Sequence, residues 1–196
     1  MFLYRLFRFF LFWASQLFFH LEVRGREHIP KEGGFILASN HASYLDPILL
    51  GVACPRVLNF AARDSLFKNP AFSLLLFNVG AFPIKRWSAD LSAVRESVRR
   101  LRAHAGLVVF PEGTRSANGQ FQSITHGFVL LASKADVPIV PVWIKGSYKA
   151  WGKQSKKIKP SKITVEFGQP MTVVKGKPYS EVAQDIHAQI QCLSGA

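Results

Sequence analysis

Short apolar runs alternate with stretches of helical periodicity along this chain, and the alternation predicts the elements. Gly33-Gly34 introduces Phe35-Ile36-Leu37-Ala38, an apolar run of strand length. Asn40 to Asp46 follows as a loop, and Asp46-Pro47 predicts a helix start with Asp46 as cap and Pro47 at the first helical position. Gly80 to Ile84 reads as extended. Ser88 is expected to open a helix in which Leu91, Val94, Val98 and Leu101 form one stripe, Arg95, Arg99, Arg100 and Arg102 stay mostly outside it, and Gly106 marks the end. Leu107 to Phe110 is the next strand, Gly127 to Ala135 a helix, and Pro138 to Ile144 extended again. Repeated strand-then-helix units predict an α/β fold, a single domain with a mixed, largely parallel sheet flanked by helices. In such sheets the site belongs on the loops at the carboxyl ends of the strands.

The first nineteen residues break this pattern, with Phe2, Phe7, Phe9, Phe10, Phe12, Phe18 and Phe19 crowded together. Arg8 interrupts the apolar stretch and no small-residue cleavage site follows, which argues against a signal peptide. The uncharged run from Phe9 to Phe19 also falls short of the roughly 20 residues that cross a bilayer. At about 100° per residue, Arg5, Arg8, Ser15, Gln16, His20 and Glu22 share an arc opposite Leu3, Leu6, Phe10 and Leu17. The segment therefore reads as an amphipathic helix lying in the membrane plane, with Phe9, Phe10, Phe12 and Trp13 as anchor residues. This divides the chain into an anchor over 1–22 and a catalytic domain over 23–196.

Charge sharpens the picture. The 196 residues carry 25 Lys plus Arg against 12 Asp plus Glu, a net charge of +13, while 48% are hydrophobic. A greasy, basic chain suits an anionic phospholipid membrane, where apolar burial and headgroup attraction add. Nucleic acid is a poor alternative partner, because no zinc-finger spacing, basic zipper or RNP-like signature accompanies the charge. Lysines 149, 153, 156, 157 and 159 cluster among Gly, Ser and Pro, as a solvated loop or a basic patch for anionic lipid or an acidic carrier protein. Cys54 and Cys192 stand far apart and outside metal-ligand spacing, so neither a disulfide framework nor a metal site is indicated.

Two strand-following loops carry the chemistry. An imidazole at His41 accepts a proton near neutral pH if a partner holds its ring in one tautomer, and Asp46 is placed to do so. On a continuous helix positions 41 and 46 would diverge by about 140°, so the pair meets only if a loop enters the helix between them. No G-x-S-x-G elbow is present, which favours direct attack by a substrate alcohol over an acyl-enzyme. In the second loop Glu112-Gly113-Thr114-Arg115 joins a small backbone residue, a hydroxyl and a guanidinium, a set suited to phosphate. Backbone amides beside Gly113, or the Lys85 ammonium, are candidate donors to a developing oxyanion. Lys85-Arg86 adds positive charge after the second extended run.

In their order, His41-x4-Asp46, Gly80 to Arg86, Phe110-Pro-Glu-Gly-Thr-Arg-Ser116 and Val137 to Pro141 closely resemble the marks of the 1-acylglycerol-3-phosphate acyltransferase family. The resemblance implies transfer of a fatty acyl group from an acyl thioester, acyl-CoA or acyl-ACP, to the free hydroxyl of lysophosphatidic acid. It implies no cofactor beyond that co-substrate, possible contact with acyl carrier protein, and a place on the cytoplasmic face of a membrane such as a bacterial inner membrane. His41 would be the general base, Asp46 its orienting partner, and Lys85, Arg86, Glu112, Gly113, Thr114 and Arg115 the acceptor-binding set, with phosphate contact assigned to Arg86 and Arg115. Two departures stand out: Lys85 occupies a position where many members carry Asp, and Ile124-Thr125-His126-Gly127 replaces a frequent F-K-x-G. The second leaves open another lysolipid acceptor, including lyso-ornithine lipid. A lipid thioesterase and a non-catalytic membrane-binding protein are the remaining alternatives.

Overall fold

The computed structural model describes residues 2–84, 90–174 and 176–195, the side chains of residues 2, 3 and 5 excepted. Its elements run α1 (Phe2–Phe19), β1 (Glu22–Arg24), β2 (Phe35–Ser39), α2 (Asp46–Ala53), β3 (Leu58–Arg63), α3 (Pro70–Asn78), β4 (Ala81–Ile84), α4 (Leu91–Arg102), β5 (Gly106–Val109), α5 (Gly127–Ala135), β6 (Ile139–Lys145), α6 (Ser147–Trp151), β7 (Thr164–Phe167) and α7 (Tyr179–Leu193). Seven strands form one sheet in the order β1-β7-β6-β2-β5-β3-β4. Every pairing is parallel except β6 with β7. This is the predicted α/β architecture.

β2 sits in the middle, and all five of its residues are buried. Alternation splits them between two cores. Phe35 and Leu37 join Leu49 and Leu50 of α2 and Phe19 of α1 on one face. Ile36 and Ala38 join Leu101 of α4, Phe128 and Val129 of α5, and Ile186 and Ile190 of α7 on the other. With both faces covered, the central strands have no solvent side to keep polar, which is why they read as unbroken apolar runs.

Several boundaries differ from expectation. The cap of α4 is Asp90, whose carboxylate accepts from the Ala93 amide at 3.0 Å; Ser88 lies outside the described residues. Leu91 is exposed, so the buried stripe of α4 is Ser97 and Leu101 with Val98 packed beside them. Gly106 begins β5 instead of ending α4. A Cβ there would lie 2.5 Å from the Phe35 ring and 2.8 Å from Leu58, so the position needs glycine for close packing.

The N-terminal helix is turned the opposite way from a helix whose polar arc faces water. Ser15 is buried, Arg8 donates to the Pro55 carbonyl at 3.2 Å, and Gln16 donates to the Leu21 carbonyl at 2.9 Å. Tyr4 and Phe19 are buried too, while Phe9, Phe10, Trp13, Leu17 and Phe18 are exposed. Phe12, expected among the anchor residues, packs inward against the core. No helix among the described residues is long and apolar enough to cross a membrane. The short α3 buries none of its residues and exposes Phe72, Leu74, Leu75 and Phe77.

Candidate active site

The site forms where the neighbouring parallel strands β2 and β5 end, Ala38 lying opposite Val109. Leaving β2, Asn40 pins the chain to β6 by mimicking a backbone partner. Its amide donates to the Ile144 carbonyl at 3.0 Å, and its oxygen accepts from the Ile144 N–H at 2.8 Å. His41 is then held on the other side by the loop after β5. Its N–H donates to Glu112 Oε1 at 2.7 Å, and its carbonyl accepts from the Ser116 N–H at 2.8 Å. Both ends of the histidine's backbone are fixed before its side chain is considered.

The ring is fixed as well. His41 Nδ1 lies 2.9 Å from Asp46 Oδ2, and Asp46 is fully buried. The same oxygen accepts from the Ala42 and Ser43 amides, each at 2.7 Å. Asp46 is therefore not the helix cap expected from sequence. It occupies the first turn of α2, Leu45 stands at the cap position without a side-chain bond, and Pro47 sets the helix start. The carboxylate turns back so that the loop wraps around it, which brings positions 41 and 46 together. An acceptor at Nδ1 places the hydrogen there and leaves Nε2 as the basic nitrogen. Phe110 stacks on the imidazole at 3.9 Å between centroids, with planes 17° apart.

Glu112 closes the arrangement from the other loop. While Oε1 holds His41, Oε2 accepts from the Gln122 N–H at 3.0 Å. Burial pushes its carboxyl up to about 7, against the opposing pull of those two N–H donors and with a smaller push from the nearby Asp46 charge. Its role is to clasp loops, a structural role within the acceptor-binding set expected from sequence.

Beyond Glu112 the loop opens. Gly113 is exposed with φ of +70°, and a Cβ would meet nothing within 4 Å, so backbone conformation is what favours glycine here. Its N–H donates to the Phe110 carbonyl at 3.0 Å, closing a turn. Thr114 is half-buried beside it. The Arg115 guanidinium lies 3.4 Å above the Tyr44 ring, and its Nη1 is buried without a hydrogen-bond partner. His41, Asp46, Glu112 and Arg115 are thereby brought to one end of the sheet. Lys85 and Arg86 lie outside the described residues. His126 lines a separate cleft of about 300 Å³ with His187, Ser123 and Gln184.

No hydroxyl or thiol among the described residues bonds to the free imidazole nitrogen. The nearby Ser39, Ser43 and Ser116 hydroxyls donate instead to the Asn40 carbonyl, the Trp151 carbonyl and the Asn118 side chain. Burial pushes the Cys54 thiol up to about 11, which removes its thiolate at neutral pH. Among the described residues the geometry pairs an imidazole with an orienting carboxylate and brings no hydroxyl or thiol to it. Asn40 and Gln122 were missed in the sequence. For Asn40 a signal existed, an amide side chain directly after a fully apolar strand; Gln122 meets Glu112 only through the fold.

The chain is similar to known proteins in sequence and in fold. The model of the acyltransferase family matches residues 20–145. The 1-acyl-sn-glycerol-3-phosphate acyltransferase of Limnanthes alba is 31% identical over 177 residues, covering 86% of this chain and 62% of the plant protein. The protein so named in Bacillus subtilis (strain 168) is 27% identical over 152 residues, covering 77% and 73%. The crystal structure of the 1-acyl-sn-glycerophosphate (LPA) acyltransferase from Thermotoga maritima superposes with a TM-score of 0.78 at 27% identity, covering 90% of this chain and 72% of that one. The chain thus spans less than two thirds of the length of the plant relative. Since the family match runs through β2, β5 and both of the loops that hold His41, Asp46, Glu112 and Arg115, the chain belongs to the acyltransferase family.

Proposed function

We propose that this chain transfers a fatty acyl group from an acyl thioester to the free hydroxyl of lysophosphatidic acid, giving phosphatidic acid. The observation that carries the reading is the His41–Asp46 pair, 2.9 Å apart, with Nε2 unclaimed by any side chain among the described residues and a phosphate-suited loop clasped beside it. His41 Nε2 takes the proton of the acceptor hydroxyl as its oxygen attacks the thioester carbonyl. A carbon–oxygen bond forms, the carbon–sulfur bond breaks, and the proton passes to the departing thiolate. Asp46 stabilises the imidazolium that exists between those two transfers. Arg115 binds acceptor phosphate through its planar fork, joined by Arg86 on the strength of the sequence resemblance. Relatives named for this substrate support the acceptor assignment. The thioester is acyl-CoA or acyl-ACP.

The enzyme works at a membrane surface, with α1 lying in the interface. Its outward face presents Phe9, Phe10, Trp13 and Leu17, and the net charge of +13 adds attraction to anionic headgroups. Purified protein should release thiol from an acyl thioester only when lysophosphatidate is supplied. Thiol release independent of acceptor would make the protein a thioesterase, and equal rates with lyso-ornithine lipid would remove the phosphate assignment.

A further inference from the structure

Arg115 is held by a feature that the acyltransferase reading leaves unused. Tyr44 lies between His41 and Asp46, half exposed, with its ring 3.4 Å beneath the Arg115 guanidinium carbon. The ring has an aromatic neighbour as well. Trp151 lies 5.0 Å away between centroids at 36°, and its carbonyl accepts both the Tyr44 N–H at 3.3 Å and the Ser43 hydroxyl at 2.7 Å. Tyr44 thus stacks with Arg115 of the loop after β5 and borders Trp151 at the end of α6.

The stack solves a particular problem. A guanidinium tied down by a carboxylate would have its donors consumed, and a free one would wander. Stacking on a ring uses the face of the cation and leaves its N–H groups, which lie in the plane, available. Arg115 makes no salt bridge among the described ion pairs, and its Nη1 is removed from solvent with no partner. A buried cationic donor in that condition is costly until an acceptor arrives. We infer that Tyr44 is a positioning residue for the acceptor: from within the His41-to-Asp46 loop it aims the Arg115 fork at a phosphate, contributing to acceptor binding equally before and during the reaction. The inference rests on the proposed role of Arg115 as phosphate ligand.

The test compares lysophosphatidate with monoacylglycerol as acceptors in mixed micelles at saturating thioester. Tyr44→Leu should raise KM for lysophosphatidate about 3- to 30-fold, the range of a cation–π contact from exposed to desolvated. Its kcat should stay within about twofold, KM for monoacylglycerol should not change, and Tyr44→Phe should restore the native KM. In an Arg115→Ala background, Tyr44→Leu should add nothing. The inference is overturned if Tyr44→Leu weakens both acceptors alike, if Tyr44→Phe is as impaired as Tyr44→Leu, or if the effect persists without Arg115. Tyr44→Met replaces Tyr44→Leu should the latter fail to fold. Arg115→Ala alone separates the two levels. Equal loss on both acceptors rejects the phosphate reading, while loss confined to lysophosphatidate with an indifferent Tyr44→Leu rejects the stack alone.

Discussion

The loops after β2 and β5 stand side by side on parallel strands, yet they are built on opposite plans. In the first, Asn40 is doubly bonded to Ile144, both backbone groups of His41 are taken, and one oxygen of Asp46 gathers three donors. In the second, Gly113 is exposed and Arg115 keeps a donor without partner. A base must be oriented before the reaction begins, because disorder in its ring is lost rate. A group that binds substrate must instead keep donors unspent. Each loop keeps one buried polar atom without a partner, but in the first it is Asp46 Oδ1, the oxygen turned away from the imidazole, and in the second it is a cationic donor, Arg115 Nη1.

The sharpest way to break this contrast is to remove the base. His41→Ala should lower turnover by about 10²–10⁴-fold while lysophosphatidate binding persists, since the phosphate-facing loop does not depend on the imidazole. Binding lost in parallel with turnover would mean that the two loops are one unit. Asp46→Asn should fall within the same range and also lower the melting temperature, because a neutral amide oxygen accepts the N–H groups of Ala42, Ser43 and His41 more weakly and its NH2 would be buried without an acceptor at the place of Oδ1.

A similar division runs along α1. Its inward side is satisfied by the body through Arg8, Ser15 and Phe12, and its outward side is left apolar. Replacing Phe10 and Trp13 together by Ser should cut partition onto anionic vesicles by at least about 100-fold, as expected from two large apolar side chains at ~1.5–3 kcal/mol each, with the melting temperature unchanged. Phe12→Ala should do the reverse. Unaltered vesicle binding by the double variant would remove α1 from the membrane contact.

This helix also shows where sequence reading stops. Periodicity at 3.6 residues identifies two faces of α1, but which one meets water depends on what the rest of the chain offers, and here Pro55 and the α2 side of the core claim the polar arc. Where both neighbours of an element are apolar the problem vanishes. β2, β5, β6 and α5 were legible because buried runs tolerate little else, and α5 spans Gly127–Ala135 as read. β3 was not read, since Asn59 and Arg63 interrupt its pattern where it lies near the sheet's edge. His41, Asp46 and Glu112 were legible as candidates because their spacing is local. The mutual bonds from Glu112 to His41 and Gln122 were not, because they span 71 and 10 positions and depend on the order of strands.

The smallest expected effect lies at the clasp between the two loops. Glu112 titrates at about 7 in the folded chain, where burial raises it from its ordinary 4.5. Between those values the folded chain retains a proton that the unfolded chain has released. The associated stability is present below about 4.5 and is lost as pH rises through about 7. Glu112→Gln has no proton to retain, so its melting temperature should fall less than that of the native chain between pH 5 and pH 8. Parallel curves would show that the carboxyl titrates at its ordinary value. The variant should also be less stable at low pH, because its NH2 only donates where the second carboxyl oxygen still accepts, and the His41 or Gln122 N–H loses its partner, costing about 1–3 kcal/mol. Ionisation therefore has opposing consequences: it opposes burial, yet it supplies two acceptor oxygens that tie a finished loop to an open one.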